Sequence, residues 1–273
     1  MSYKEKNQAA AAESDSDSTP LSLRPPAGLI GTVLGCRLGL KKTLRSRLLW
    51  GCLFLLALPL IAQLIIVATG RNLGPGEGKT FFSGWLTLLL PLAAILASYA
   101  GVAEEVESQT ITYLYSRPLK RWSLPAGKLL AAVLLFGPAA LILLALGAHL
   151  SPAGAPPLSG LLPAAVLATL VYSALALCAG ALVPRHAVLA SLGLLALLDM
   201  GLTHVPGITQ TLTPSFHLKN LAGLLPPPGK LARFIPRPAV SGSTSVLVLL
   251  IQTALFSTIT VIRSTVWEYR SSR

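Results

Sequence analysis

The chain has 273 residues, of which 53% are hydrophobic and only 12% are Asp, Glu, Lys or Arg, and its mean hydropathy is +0.67. A soluble domain carries about a quarter charged residues, so composition excludes an ordinary soluble globule and points to a membrane-embedded chain. The formal net charge of +12 does not indicate nucleic acid: the basic residues gather at the ends of apolar runs, where phospholipid head groups are the natural counter-charge, and form no stripe interleaved with aromatics.

Residues 1–28 contain no apolar core and so no secretory signal. Their Ser, Asp, Ala and Pro content predicts a disordered cytoplasmic tail. Over 29–48 a helix lying along the inner membrane surface is expected. Ile30, Val33, Leu34, Leu40, Leu44 and Leu48 fall broadly on one side of it, and Arg37 and Lys41 interrupt that side, so the helix depends on snorkelling side chains. A basic flank that only sets topology is the alternative reading.

About 20 apolar residues cross the hydrocarbon layer as a helix. Six such spans are read, at about 49–69, 81–102, 129–149, 161–183, 187–205 and 245–262. Pro59, Pro91, Pro138 and Pro163 fall within or at the edges of spans, which bilayer helices tolerate when neighbours re-satisfy the freed carbonyls. Arg37, Lys41, Lys42, Arg45 and Arg47 precede the first span, and Arg117, Lys120, Arg121 and Lys128 lie between the second and third. With Arg185, Arg263, Arg270 and Arg273 they outweigh Arg71 and Lys79 and the basic residues of the long 206–244 loop. Both termini are therefore expected in the cytoplasm. The fold expected is an all-α membrane protein, with residues 29–273 as one transmembrane domain.

Between the first two spans, GPGEGKT (74–80) ends like a phosphate-binding loop. The glycine that such a loop needs would be residue 73, which is Leu73, and no strand precedes it; a flexible turn is the better reading. With no ATP site and no soluble stretch large enough for one, any ATP-driven role needs a separate ATPase.

The connector between the second and third spans is the most informative segment. Glu104, Glu105 and Glu107 open it; they would complement the positive end of a helix dipole if a fresh helix began there, a benefit lost if the span runs on. Thr110, Ile111, Leu114 and Tyr115 follow at helical spacing, Pro118 disfavours helix at Arg117, and Arg121 with Trp122 suits the interface. The order EVESQT (105–110), SRP (116–118), Arg121 and GK (127–128) resembles the cytoplasmic signature of type-2 ATP-binding-cassette (ABC) permeases, with Gln109 standing where that family usually has glycine.

The resemblance implies a permease subunit with no ATPase or cofactor of its own, paired with a second permease subunit and served by cytoplasmic ABC ATPase subunits that use ATP and magnesium. It further implies that Glu105, Glu107, Thr110, Ser116, Arg117, Pro118 and Arg121 dock to the ATPase and couple its cycle to transport, in the cytoplasmic membrane of a bacterium. Membrane lipids are expected partners and nucleic acid is not.

Asp199 is an intramembrane carboxylate, costly unless it has a partner or a wet cavity, and so a candidate polar site; Thr203 and His204 are the nearby candidates for a partner. Within the Pro-rich 206–244 loop, FHLKNLAGLL (216–225) predicts a short helix at the outer surface. Cys36, Cys52 and Cys178 are too scattered for a disulfide framework or a metal site, and the four histidines form no catalytic set. An ATP-independent secondary transporter and an intramembrane enzyme using Asp199 with a histidine are the competing readings.

Overall fold

The computed structural model describes residues 27–70, 73–107, 122–151, 154–202, 208–225 and 240–266. Every regular element among them is helical. Most of the 1–28 tail lies outside the described residues.

Helix α1 (Ala27–Arg45) is followed, after Ser46, by α2 (Arg47–Ala68), whose first turn is capped by the Ser46 hydroxyl accepting from the Leu48 N–H. Helix α3 (Pro75–Gly84) passes through a π turn (Trp85–Leu89) into α4 (Leu90–Glu107). Helices α5 (Ser123–Leu150) and α6 (Leu158–Leu182) follow, then a 3₁₀ turn (Pro184–His186), α7 (Ala187–Leu195) and a second π turn (Ala196–Gly201). A 3₁₀ turn (Ile208–Leu212), α8 (Pro214–Leu221) and α9 (Gly242–Val266) complete the described chain.

Five of these helical segments are long and apolar enough to cross a membrane: α2, the run Pro75–Ser98, α5, α6 and α9. Helix α6 is the central one. In its most apolar stretch 72% of residues are buried, against 22% in α2 and in α9. The outer helices turn large apolar side chains outward, among them Trp50, Phe54 and Ile65 on α2 and Leu247, Ile251 and Leu255 on α9. Such surfaces are natural against lipid and a liability in water. The main core joins α2, α3 with its π turn, α4, α5 and α6 through Leu56, Phe82, Trp85, Leu86, Ile95, Leu144 and Tyr172.

Three features differ from the expectations above. The second span starts at Pro75, because GPGEGKT is the beginning of a helix and not a free turn: Gly74 is its N-cap, Pro75 occupies the first helical position, and Glu77 supplies a carboxylate in the first turn. A Cβ on Gly78 would lie 2.2 Å from the Gly154 carbonyl oxygen, so close backbone packing requires glycine there. The segment expected as the 187–205 span appears as α7 and its π turn, and is not among the five long helices. Finally, α4 continues unbroken through Glu107, so Glu104, Glu105 and Glu107 do not head a new helix. Ala and Glu are good helix formers, and nothing between Val102 and Glu107 stops the ladder.

Prolines shape the spans. Pro91 has no N–H to offer, and just before it the ladder skips: the Leu90 N–H bonds the Trp85 carbonyl, five residues back. Pro59 likewise leaves a carbonyl of α2 without its usual donor, and the Trp85 indole Nε1 donates to the adjacent Leu56 carbonyl at 3.1 Å. Gln63, fully buried on α2, donates through Nε2 to the Gly147 carbonyl of α5 at 2.7 Å.

Helix α1 packs along the start of α5 in the same direction. Gly35 faces Leu124 and Gly127, and Gly39 faces Lys128 and Ala131. The contact is backbone against backbone: a Cβ on Gly127 would lie 2.4 Å from the Thr32 carbonyl oxygen. Small residues at such spacing permit this approach.

Candidate functional site

Two places carry the polar residues singled out in the sequence. At one end of the bundle stand α1, the start of α5, the end of α6 with Arg185, and the end of α9, where Arg263 Nε donates to the Ala181 carbonyl at 3.3 Å. A cation there complements the negative end of the α6 dipole. Of the coupling residues, Glu105 and Glu107 lie on the last turns of α4 as described; Thr110, Ser116, Arg117, Pro118 and Arg121 lie outside the described residues. The chain resumes at Trp122. Gly127 and Lys128, the GK pair, are buried against α1, and Gly127 is the steric condition for that helix to seat.

At the other end, a buried polar seam fastens α8 into the bundle. The Tyr172 hydroxyl of α6 donates to Oδ2 of Asp199 in the second π turn, and the Ser215 N–H donates to Asp199 Oδ1 at 3.1 Å. Ser215 lies in the first turn of α8, where Thr213, the N-cap, accepts from the Phe216 N–H at 3.3 Å. The carboxylate therefore faces a helix N-terminus whose dipole favours negative charge. Both oxygens of a carboxylate only 8% exposed have donors, which answers the cost of burying it. Thr203 and His204, the partners suggested by proximity in sequence, lie outside the described residues.

The seam extends through His217. Its Nε2 lies 2.7 Å from the Thr211 carbonyl and its Nδ1 3.2 Å from Ser245 Oγ on α9. A carbonyl only accepts, so Nε2 carries the proton and Nδ1 accepts from the serine. Asn220 Nδ2 donates to Ser245 Oγ at 2.9 Å and to the Val240 carbonyl at 2.8 Å. Burial pushes the His217 imidazole below its usual value, against the opposing pull of the Thr211 carbonyl, so the ring is neutral near pH 7.

Helix α8 covers the first part of the 216–225 stretch expected to form a short helix, and it is packed into the bundle end. Phe216, His217 and Leu218 are buried, and a Cβ on Gly160 would lie 2.3 Å from the Leu221 carbonyl oxygen. The helix ends in a Schellman turn. Gly223 takes φ +67°, with Leu224 N–H bonding the Lys219 carbonyl and Gly223 N–H that of Asn220, and Leu224 returns to the core.

Sequence reasoning names Asp199 but misses Tyr172, Ser215, Asn220 and Ser245. The available signal is Tyr172 alone, the one phenol in the apolar run 161–183, whose hydroxyl needs a partner wherever it is buried. Among the described residues no group of His, Cys, Asp and Glu is arranged to hold a metal. What the seam does chemically is bind helices together.

A family model described as ABC-2 family transporter protein matches residues 37–265, from within α1 to the end of α9. The chain belongs to the ABC-2 transporter family. A comparison with curated proteins returns no match. As a member of the ABC-2 family the chain is a multi-pass membrane protein and a permease component of an ABC transporter, a transport subunit that works with an ABC ATPase partner.

Proposed function

We propose that this ABC-2 chain is the membrane-spanning subunit of an exporter in a bacterial cytoplasmic membrane. It forms the translocation path with a second permease subunit and is driven by separate cytoplasmic ATPases that dock on the 103–128 connector. In this reading α7 and its π turn belong to a sixth span, and both termini lie in the cytoplasm. Glu105, Glu107, Thr110, Ser116, Arg117, Pro118 and Arg121 transmit the ATPase motion, and the chain itself binds no cofactor.

The observation that carries the reading is the family match over residues 37–265, which includes the connector with its EVESQT, SRP and GK segments. The two helices that flank the connector support it. Its entry is the continuous α4, and its exit is the start of α5, clamped to α1 through Gly127. In the proposal, a displacement delivered to the connector reaches the bundle through these two helices.

The deciding experiment combines affinity purification of the tagged chain from its native membrane with impermeant thiol labelling of a cysteine introduced at Ser116. The expected result is co-purification of an ABC ATPase and labelling only from the cytoplasmic side. Labelling from outside, or transport driven by an ion gradient with no ATPase attached, would overturn the proposal.

A further inference from the structure

Among the described residues the packing of α1 leaves one face of it exposed, and the chemistry of that face selects a ligand. Its glycine side, Gly28, Gly31, Gly35 and Gly39, is turned inward, three of these glycines being buried and Gly39 partly so, and Gly35 and Gly39 lie against α5. On the other side Leu29, Val33 and Leu44 are 59%, 66% and 55% exposed, and Arg37, Lys41 and Arg45 are exposed too. At 3.6 residues per turn the three apolar residues share an arc of roughly 60° and the three cations the adjoining arc of roughly 80°. No acidic residue occurs between Ala27 and Trp50.

An apolar arc beside a basic arc is the arrangement of a helix lying in a membrane interface, side chains of one kind among acyl chains and of the other among head groups. We propose that this face of α1 is a binding surface for anionic phospholipid, with Arg37, Lys41 and Arg45 holding the phosphate groups and Leu29, Val33 and Leu44 resting on the acyl chains. Charge complementarity selects anionic over zwitterionic lipid, since each basic residue near such a surface adds to the attraction. Trp50 and Phe54 at the start of α2, the next helix, are also turned outward, as a lipid-facing surface requires. The inference rests on the membrane placement of the proposed permease and not on ATPase coupling.

Its test uses the purified full-length protein in detergent, titrated with dansyl-phosphatidylglycerol or dansyl-phosphatidylcholine, with energy transfer from tryptophan as the readout. The glycerol lipid is expected to bind at least about tenfold more tightly at low salt, a preference that shrinks as added salt screens the charges. R37Q/K41Q/R45Q should abolish the preference while R37K/K41R/R45K keeps it, and an unchanged thermal transition shows that both variants are folded. Equal binding of the two lipids by the wild type, or an undiminished preference in the folded glutamine variant, would overturn the proposal. So would release of the co-purifying ATPase by the glutamine variant with lipid preference unchanged, since that assigns the face to a protein partner. Loss of ATPase association alone, in a connector variant that keeps the lipid preference, would strike the permease mechanism and leave this inference standing.

Discussion

Gly35 and Gly127 meet backbone to backbone: a Cβ on Gly35 would lie 3.2 Å from the Leu124 carbonyl oxygen, and a Cβ on Gly127 would lie 2.9 Å from the Gly35 carbonyl carbon. The glycine of the GK pair therefore has a steric reason. It lets α1 seat on the helix that leaves the connector, so that α1 and the connector exit move as one body.

Gly127→Ala is the direct probe of that seat. The added methyl has backbone atoms of Thr32 and Cys36 at 2.4 and 2.7 Å, and neither can move without shifting α1. Overpacking of this kind costs about 1–3 kcal/mol. A lowered thermal midpoint in detergent is expected, together with faster protease cleavage near α1. Gly51→Ala, which meets nothing within 4 Å, should leave both unchanged.

Tyr172 and Asp199 form a coupled pair, and a double-mutant cycle measures the coupling. Tyr172→Phe removes a donor from a buried carboxylate and should cost about 1–3 kcal/mol of stability. Asp199→Asn keeps one oxygen for one donor but turns an amide N–H₂ toward the other, Tyr172 or the Ser215 N–H. In the Asn background the phenylalanine substitution should cost clearly less than it does alone. Strictly additive effects on the thermal midpoint would show that the two side chains do not share an interaction.

His217 gives the seam around α8 a pH dependence. Its value is lowered in the fold, so the unfolded chain takes up a proton that the folded chain resists, and stability rises with pH across that interval. The contribution is fully present above about pH 6.5, the unfolded value, and is lost as pH falls from there through the folded value. Charging the ring would set a donor, Nδ1–H, in place of the lone pair that meets the Ser245 hydroxyl. Thermal midpoints from pH 7.5 to 5.0 should fall in the wild type and fall less steeply in H217Q. Parallel curves would remove His217 as the cause.

How much of this was legible beforehand follows from the range of each signal. The long apolar runs announce α2, α5, α6 and α9 because burial in lipid needs twenty successive apolar residues and little else. The extension of the second span back to Pro75 was hidden by the polar GPGEGKT, although Gly-Pro followed by Glu77 is a helix-start pattern. The inward side of α1 was invisible to hydropathy, since glycine has no side chain to score. Hydropathy shows Arg37 and Lys41 interrupting an apolar side, and the structure adds that Val33 and Leu44 of that side are exposed while Gly35 and Gly39 face α5. Asp199 could be named as needing a partner, but Tyr172 is 27 residues away on another helix, and no local period links them.

The connector variant Glu105→Ala/Arg121→Ala tests the proposed handle without disturbing the bundle. Glu105 lies on α4 beyond the apolar run that ends at Ser98, and Arg121 immediately precedes Trp122, where the described chain resumes. Membrane insertion and the thermal midpoint should therefore stay within about 0.5 kcal/mol of wild type, as for surface substitutions. If these residues carry the ATPase motion, the reconstituted complex should go on hydrolysing ATP while substrate movement per ATP falls by about tenfold or more, the loss expected from truncating a charged contact worth roughly 1.4 kcal/mol or more. The measurement is vesicle transport and phosphate release in the same preparation. Both rates falling together would mean that the ATPase has lost its dock, and unchanged transport per ATP would remove Glu105 and Arg121 from the coupling path.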